Sequence, residues 1–558
     1  MGLLAKINRI YRSGSQMYQR SMKSSPKKLY LRAEIKPEGL LSKSPSDNLL
    51  IQGDNRTVIR SLIADENFNQ KINLIYVDPP FFSMADYDAV LQAGEKSFKH
   101  TAYKDSWSYG MSEYLKMLAS RLLLMRELLS DDGVLCLHLD WHASHYARVL
   151  LDEIFGSENF VNEIIWNYKS GGSTNKRFSR KHDNILIYSK TKKFKFRPQK
   201  EKSYNRGFKP YRFKGVEEFQ DGIGWYTMVN MKDVWSIDMV GRTSAERTGY
   251  ATQKPEQLIN RIIEAFTDEG DIVGDFFCGS GTVGAAASKL DRRFVIADIG
   301  KLAIATSTAR LFKENASFTI LDTKKPKTSS LKSKVNICSD KNDVSGIYEI
   351  MVELESIKLN RAEGKLEEDE IEKIKTLIDE NPLSLILAWS IDFDYDGSVH
   401  RPEIIEVSEG GKLKTRFSSF KTDKTPISIN ILDIFGRFDA DIAVFPELEG
   451  YEKGDMSNRK LADLFQKANI DFGKYKAYIS EPTDGGIAPV TIVIKRTVGT
   501  YYALKDTPMT RFGTVYLLPT SENSPPIIGL HTAPPLIGLM GMWQRDLNLI
   551  EEIAHHNK

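Results

Sequence analysis

The stretch Asp275-Phe-Phe-Cys-Gly-Ser-Gly-Thr282 decides the fold class, because its pattern is that of a buried strand joined to a helix by a glycine-rich turn. The apolar residues from 271 to 277 predict the strand, and the small residues Ala285-Ala286-Ala287 predict the helix. Gly279 and Gly281 let the backbone approach a ligand closely, and the N–H groups at a helix start attract anions. The stretch therefore predicts a nucleoside-binding site at the end of a strand.

A carboxylate follows at the distance expected for such a site. Arg293–Ala297 is predicted to be a strand, and Asp298 comes directly after it. From there an acid can accept both hydroxyls of an adenosine ribose. The loop from 279 to 284 reads G-S-G-T-V-G, which also satisfies the dinucleotide pattern. A nicotinamide-dependent oxidoreductase therefore stays open as an alternative at this point.

Strands and helices alternate over about 48–315. Leu49–Ile51 and Ile72–Val77 are predicted as short buried strands. A helix predicted to begin at the cap Ser112 carries apolar residues three and four positions apart. This rhythm predicts an α/β fold in which helices cover a mostly parallel sheet.

The tetrapeptide Asp78-Pro79-Pro80-Phe81 directly follows the predicted strand Ile72–Val77. Open α/β sheets bind ligands at the carboxyl ends of parallel strands, so we expect the tetrapeptide in the ligand crevice. It provides a carboxylate, carbonyls that accept hydrogen bonds, and an aromatic ring. That set suits a planar exocyclic amine, because the oxygens take its N–H bonds and the ring stacks on the base.

With these two motifs in this order, the sequence resembles the β-class of S-adenosylmethionine-dependent amino-DNA methyltransferases. That class includes the modification subunits of type III restriction–modification systems. The resemblance covers about 48–315 and implies a Rossmann-like methyltransferase fold. Three further segments resemble the family, namely Leu50–Asn55, Asn159–Trp166 and Lys181–Leu186, as does Thr252-Gln-Lys-Pro-Glu-Gln-Leu258 with Arg261-Ile262-Ile263.

The resemblance implies methyl transfer from S-adenosyl-L-methionine to N6 of a flipped adenine in double-stranded DNA. It implies that Asp78 and the Pro79 carbonyl hold the amine and that Phe81 stacks on the base, with Pro80 completing the catalytic turn. The implied cofactor contacts are Asp54 at the adenine, Asp298 at the ribose, Lys254 at the carboxylate, and Asp78, Asp275, Phe277, Gly279, Gly281 and Thr282 around the methionine end.

Two alternatives remain beside the oxidoreductase. Cytosine-N4 methylation uses the same fold, but the family's cytosine enzymes mostly carry Ser at the position of Asp78, so Asp favours adenine. The other is a non-catalytic DNA-binding partner with a decayed methyltransferase fold. The intact Asp78, Gly279 and Gly281 speak against it.

The net charge of +3, from 77 basic and 74 acidic residues, excludes a uniformly polybasic chain. Basic residues nevertheless cluster at 1–33, which holds no acid, and at 190–214, where Glu201 is the single acid among Lys, Arg and aromatic residues. Cations bind phosphates and aromatic rings stack on bases. We therefore predict DNA contacts at Lys190, Lys192, Lys193, Lys195 and Arg197.

The 558 residues are enough for several domains. We predict a basic N-terminal arm (1–45), a methyltransferase domain (46–322) with a DNA-contact or target-recognition segment near 190–235, a linker (323–345), and a C-terminal α+β domain (346–558) that begins with a charged helix near 348–379.

The remaining predictions concern location and partners. No apolar run reaches the length that spans a bilayer, and three cysteines are too few for a disulfide framework. We expect a cytoplasmic chain without a membrane partner or a bound metal. We also expect a homodimer, and a cognate restriction or helicase subunit is a candidate partner.

Overall fold

The computed structural model divides the chain into two compact units, each described here by itself. The first comprises Met1–Tyr30, Ser44–Gln92 and Ser97–Lys324, and the second the remainder. The structure describes residues 6–36, 48–93, 96–169, 175–325, 331–341, 347–359, 372, 375–376, 379–381, 383–396, 399–409, 411–422, 427–436, 438–444 and short strands within 478–531.

The described residues of the first unit form seven α-helices. They are α1 (Ile7–Lys23), α2 (Asn55–Ile63), α3 (Met111–Leu128), α4 (Ser144–Phe155), α5 (Glu256–Phe266), α6 (Thr282–Lys289) and α7 (Lys301–Lys313).

The strands up to Asp322 are β1 (Tyr30–Ile35), β2 (Leu49–Gln52), β3 (Ile72–Val77), β4 (Asp86–Ala93), β5 (Lys96–Lys104), β6 (Leu129–Leu139), β7 (Phe160–Asn167), β8 (His182–Ser189), β9 (Lys200–Tyr204), β10 (Phe219–Gln220), β11 (Trp225–Asn230), β12 (Val234–Ser236), β13 (Ile272–Asp275), β14 (Arg293–Asp298) and β15 (Phe318–Asp322).

Nine strands of the first unit form one sheet in the order β15-β2-β14-β13-β3-β6-β8-β7-β12. Every neighbouring pair is parallel except the two that involve β8. The predicted α/β fold with a mostly parallel sheet is therefore confirmed. From β13 the chain crosses to β14 on one side, and from β3 it crosses to β6 on the other. The carboxyl ends of β3 and β13 thus flank a topological switch point, where open sheets form their ligand crevice.

Helix α3 packs in the core of the first unit, and two of its residues, Met117 and Arg121, line the cavity at this switch point. Leu115, Leu118 and Leu122, three or four positions apart, are fully buried. Gly110 precedes the helix, and no side chain caps it, so the cap predicted at Ser112 is wrong. The apolar stripe rather than a polar cap fixes where this helix lies.

Residues 7–23 of the predicted N-terminal arm (1–45) form a helix that is packed in the first unit. In this helix, α1, Ile10 is 1% exposed and belongs to the core. Gly14 lies against α3, since a Cβ added there would come within 2.7 Å of the Ala119 side chain. Tyr18 donates a hydrogen bond of 3.0 Å to Glu127 Oε1. The prediction of an arm was wrong because it counted the cations and overlooked the apolar face between them.

The later strands are β16 (Leu331–Lys341), β17 (Tyr348–Leu359), β18 (Ile386–Asp392), β19 (Ile404–Val407), β20 (Arg416–Lys421), β21 (Ile427–Asp433), β22 (Phe438–Val444), β23 (Tyr478–Ile479), β24 (Val490–Thr491), β25 (Val493–Lys495), β26 (Tyr501–Tyr502), β27 (Val515–Pro519) and β28 (Ile527–His531). They form three antiparallel sheets, β16-β17-β20, β19-β18-β21-β22-β25, and one of the last short strands.

Two predictions fail in this second unit. The predicted linker (323–345) contains β16, and the predicted charged helix (348–379) begins with β17. Ile350, Val352 and Leu354 are buried at alternate positions, which is the period of a strand. The charged residues between them suggested a solvated helix face, but they occupy the other face of the strand. No helix among the described residues is long and apolar enough to cross a membrane.

Candidate active site

A cavity of about 500 Å³ lies at the switch point of the first unit. Asp78 comes directly after β3 and Asp275 ends β13, and both line the cavity. The cavity has the size of a small-molecule site. Of the predicted catalytic and cofactor residues, Asp54, Asp78, Pro79, Pro80, Phe81, Lys254, Asp275, Phe277, Gly279, Thr282 and Asp298 line it, whereas Gly281 does not.

The two oxygens of the Asp78 carboxylate differ in their hydrogen bonding. Its Oδ2 accepts a hydrogen bond of 2.5 Å from Lys254 Nζ. Its Oδ1 is buried and accepts no hydrogen bond from any residue that the structure describes. A buried acceptor without a partner is unfavourable, so Oδ1 is prepared to receive a donor from a bound molecule.

Phe81 offers a ring at the same point of the cavity. The ring is partly buried at the edge of the core. Lys254 Nζ lies 5.1 Å from its centroid, within the range of a cation–π contact. One cation therefore contacts both the acid and the ring of the Asp78–Phe81 turn.

The glycine-rich turn requires its glycines. Gly279 and Gly281 have φ of +48° and +72°, in the left-handed region. A Cβ at Gly281 would come within 2.7 Å of Ser307 Oγ, and a Cβ at Gly279 within 3.2 Å of the Tyr250 ring. Gly281 thus shapes the turn from behind, whereas Gly279 faces the cavity.

Asp298 holds this turn in place. Its Oδ2 accepts a hydrogen bond from Gly279 N (3.0 Å) and its Oδ1 accepts one from Gly300 N (2.8 Å). Burial raises the pKa of Asp298, although these backbone donors oppose the rise. Each oxygen keeps a second lone pair for a hydroxyl donor.

Asp275 is the most deeply buried acid of the site. Its Oδ1 accepts a hydrogen bond of 3.0 Å from Phe277 N. Burial raises its pKa well above the ordinary value, and the negative charges of Asp78 and Asp298 raise it further. A positively charged ligand in the cavity would favour the ionised forms of these acids and oppose this rise.

Lys254 is not directed at a separate anion site in this structure. Beside its bond to Asp78, its own carbonyl accepts a hydrogen bond from Thr282 Oγ1 at the start of α6. Thr282 Oγ1 in turn accepts a hydrogen bond of 2.8 Å from Nη1 of the buried Arg310. Lys254 therefore links the Asp78 turn to the glycine-rich turn.

Asp54 lies on the cavity wall as the N-terminal cap of α2. Its Oδ1 accepts a hydrogen bond from Thr57 N, and its Oδ2 lies 3.6 Å from Arg121 Nη2. Arg121 also donates 3.2 Å from Nε to Asn55 Oδ1. Sequence reasoning missed Arg121. It could have been noticed as a cation on the otherwise apolar side of α3.

A hairpin of β4 and β5 supplies another wall of the cavity. The rings of Tyr87 and Tyr103 stack with centroids 4.9 Å apart, and both line the cavity. The Tyr103 hydroxyl lies 3.2 Å from Thr252 Oγ1. Tyr250, also on the cavity, was missed because its role depends on contact with Gly279 rather than on a motif.

The five residues predicted to contact DNA lie away from this cavity. Lys190 directly follows β8. Because β8 runs antiparallel to β6, its last residue Ser189 pairs with Val134, the first residue of β6 in this pairing, so Lys190 lies at the amino-terminal edge of the parallel strands. Its Nζ donates 2.6 Å to Leu129 O. Lys195 lies within 4 Å of Asp132, Asp268 and Asp271, and Arg197 also pairs with Asp268.

This placement speaks against the predicted DNA contacts, because these cations lie at the opposite edge of the sheet from the cavity. Lys192 and Lys193 are exposed but lie on the same edge. The sequence showed the density of cations and gave no sign of the acids that neutralise several of them. Within the described residues, no group of three or more His, Cys, Asp or Glu side chains is placed to hold a metal ion.

Comparison with known proteins agrees with the geometry of this site. Residues 72–309 match the N6/N4 methyltransferase family, described as DNA methylase. The chain is 29% identical over 323 residues to the type II methyltransferase M.EcaI of Enterobacter cloacae, a match that covers 47% of this chain and 69% of the relative.

Two further matches concern the same half of the chain. The type III EcoPI Mod subunit of Escherichia phage P1 is 30% identical over 192 residues, covering 31% of this chain and 29% of the relative. The solved M1.HpyAVI–SAM complex is 20% identical with a TM-score of 0.32, covering 47% of this chain and 98% of that one.

Proposed function

We propose that this chain methylates N6 of adenine in double-stranded DNA, since its residues 72–309 match the N6/N4 DNA methyltransferase family. One observation carries the proposal. The buried Oδ1 of Asp78 has no hydrogen-bond donor among the described residues, and it lies on the cavity that the Gly279 turn also lines. The site therefore holds an acceptor for an amine beside a turn suited to a nucleoside.

The residues present fit S-adenosyl-L-methionine, the methyl donor of this family. When bound, this cofactor supplies an electrophilic methyl group on a positively charged sulfonium. Asp298 is placed to accept ribose hydroxyls, and Asp54 lies on the cavity wall for the adenine. Asp275 and Gly279 would border the methionine end, where the surrounding acids favour a cation.

Asp78 would orient the target amine. Its Oδ1 accepts one N–H of the exocyclic nitrogen, and the carbonyl of Pro79 accepts the other. These bonds favour a pyramidal nitrogen whose lone pair is no longer delocalised into the ring. Positioning and electrostatic stabilisation of the developing positive charge then lower the barrier without a covalent intermediate.

Phe81 would stack on the flipped base and replace the stacking that the base loses on leaving the duplex. Pro80 restricts the backbone between the acid and the ring, because its φ is fixed near −65°. The acceptors and the stacking face thus come from one rigid turn.

Cytosine N4 is the second candidate target, since it is also an exocyclic amine and the family includes both kinds of enzyme. The resemblance of the Asp78 turn to adenine enzymes favours N6. The oxidoreductase alternative loses its support, because the family match covers the same glycine-rich turn.

DNA has to approach the edge at which the cavity opens. Because β8 runs antiparallel to β6, its first residue His182 lies at that edge. The segment before it contains Arg177 and Arg180, and Phe178 is 98% exposed. The Arg180 guanidinium lies 3.4 Å from the centroid of the Trp141 ring. We place the DNA contact on this edge surface, defined as Trp141 and 175–182, in place of the 190–197 segment.

Mass spectrometry of digested DNA tests the proposed reaction. We would incubate the full chain with S-adenosylmethionine and unmethylated bacterial genomic DNA, with Asp78→Ala as the control. N6-methyladenine from the wild type alone supports the proposal, and N4-methylcytosine would replace it by the alternative. Neither product under conditions in which the cofactor binds would overturn DNA methylation.

The partners follow from the relatives rather than from the site. Similarity to Mod subunits makes a restriction subunit a candidate partner, and the homodimer remains a proposal. Cellular DNA as the substrate would also place the chain in the cytoplasm.

A further inference from the structure

A chain of largely buried polar side chains contacts Phe81 through His138, and its first member, Tyr76, also lines the cavity. The Tyr76 hydroxyl lies 2.5 Å from Nδ1 of His138. The Nε2 of His138 lies 3.2 Å from Oδ2 of Asp183. The other carboxylate oxygen of Asp183, Oδ1, accepts a hydrogen bond of 3.1 Å from the Tyr168 hydroxyl. The four residues come from β3, β6, the start of β8, and the residue after β7. They connect strands that are far apart in the sequence.

The protons in this chain can be assigned from the environment. Burial raises the pKa of Tyr76 well above its ordinary value, and the charge of Asp78 adds to the rise. Tyr76 therefore keeps its proton, and its hydroxyl donates a hydrogen bond to Nδ1 of His138. The Nε2 of His138 then carries the hydrogen and donates to Asp183. Burial raises the pKa of Asp183, but the hydrogen bond from His138, the positive charge of Lys254 and the hydrogen bond from Tyr168 together lower it overall.

Both ring nitrogens of His138 are thus engaged, which fixes the plane of the imidazole. Its ring centroid lies 5.6 Å from that of Phe81 and 5.4 Å from that of Trp166. His138 is fully buried and does not line the cavity. It contacts two residues that line the cavity, the Phe81 ring and the Tyr76 hydroxyl.

We propose that Tyr76 and Asp183, acting through His138, are positioning residues that set the orientation of the Phe81 ring for the flipped base. The inference rests on the proposed function, since it assumes that Phe81 stacks on that base. Buried polar groups hold one geometry better than apolar packing does, because a rotated imidazole would lose two hydrogen bonds. A ring supported on one face in this way presents its other face in a single orientation.

Tyr76→Phe removes one hydroxyl without creating a cavity, and Tyr188→Phe is the matched control. Tyr188 is also a fully buried strand tyrosine, and its hydroxyl donates to Asp152 Oδ1 away from the cavity. We expect turnover of Tyr76→Phe to fall about tenfold, because a small misplacement of a reacting group is expensive in rate. Cofactor affinity by calorimetry should stay within about twofold of the wild type.

The discriminating readout is the fluorescence of 2-aminopurine placed at the methylated position, once mapping has identified that position. A flipped 2-aminopurine stacked on an aromatic ring is quenched, so a disordered Phe81 should leave it brighter in Tyr76→Phe than in Tyr188→Phe. Asp183→Ala should behave like Tyr76→Phe. Asp183→Asn should recover part of the quenching, because its amide oxygen still accepts from His138.

Equal fluorescence and equal turnover in Tyr76→Phe and Tyr188→Phe would overturn the inference while leaving the proposed function intact. A wild-type chain that forms no methylated base would instead overturn the proposed function. If Tyr76→Phe does not fold, the Asp183→Asn and Asp183→Ala pair decides in the same assay. Equal signals from that pair would contradict the positioning role.

Discussion

Lys254 Nζ donates a hydrogen bond of 2.5 Å to Asp78 Oδ2 across 176 residues of sequence. The Lys254 and Asp78 side chains are only 9% and 19% exposed, so water screens this pair weakly. The cation stabilises the carboxylate and leaves Oδ1 for another donor. The residue expected to bind the cofactor carboxylate is therefore also the partner of the proposed catalytic acid.

Lys254→Met should lower turnover at least about tenfold, because the Asp78 carboxylate loses the donor that holds its Oδ2 and orients the acid. The check is kcat/KM of the purified variant. Lys289→Met, which removes a lysine paired with Glu256 outside the cavity, should keep the wild-type value.

Asp78→Asn should reduce methylation by about a hundredfold or more, because the amide accepts less strongly and carries no charge for the developing cation. Its volume is unchanged, so the midpoint of thermal unfolding should remain close to that of the wild type. A tritiated-methyl filter assay measures the loss. Asp86→Asn, at an exposed pair with Lys104, is the control. Wild-type turnover in Asp78→Asn would remove the acid from the mechanism.

Gly281→Ala should destabilise the first unit by more than Gly270→Ala. Both glycines have positive φ, which costs a residue with a Cβ about 1–2 kcal/mol. At Gly270 no described atom lies within 4 Å of a built Cβ, whereas at Gly281 the Cβ would collide with Ser307. Urea unfolding of both variants separates the collision from the backbone effect. Equal losses would mean that Ser307 moves aside freely.

Replacing Arg177 and Arg180 by Ala should lower the salt dependence of DNA binding by about two counterions, if both contact phosphates. The double variant of Lys192 and Lys193, on the opposite edge, should keep the wild-type slope. Fluorescence anisotropy of a labelled duplex at several salt concentrations gives both slopes. The reverse result would restore the basic 190–197 segment as the DNA surface.

Ile10→Ala should lower the free energy of unfolding of the first unit by about 2–4 kcal/mol, since Ile10 is 1% exposed in the core. Gln19→Ala, on the exposed side of α1, should change it little. Thermal or urea unfolding followed by circular dichroism measures both. An unchanged free energy of unfolding in Ile10→Ala would mean that residues 7–23 do not contribute to the core, as predicted for an arm.

The parts of the fold that sequence predicted are those with strong local signals. The turns at Asp78 and Gly279 stand at the ends of short apolar runs, and such runs are read directly as buried strands. The bond between Lys254 and Asp78 has no local signal, because it exists only once β3 and β13 are neighbours. Tyr250 was missed for the same reason.

The sequence was least informative about its charged residues, because it does not show what surrounds them. Lys195 looked available in sequence, but three carboxylates surround it in the structure. In β17 the acidic residues concealed the alternation of Ile350 and Val352. Clusters of cations in a sequence suggest an anionic partner, whereas tertiary contacts decide which of these cations are available to it.

The adjacency of β3 and β13 has a consequence for biosynthesis. Ile272 N donates to Asn73 Oδ1 across 199 residues, so β3 leaves the ribosome long before its neighbour exists. At 5–20 residues per second that interval is roughly 10–40 s. During it, an apolar strand at the centre of the future sheet has an unpaired edge. The nascent chain should therefore depend on chaperones until β13 emerges, and slowing translation should increase aggregation before it reduces activity per folded molecule.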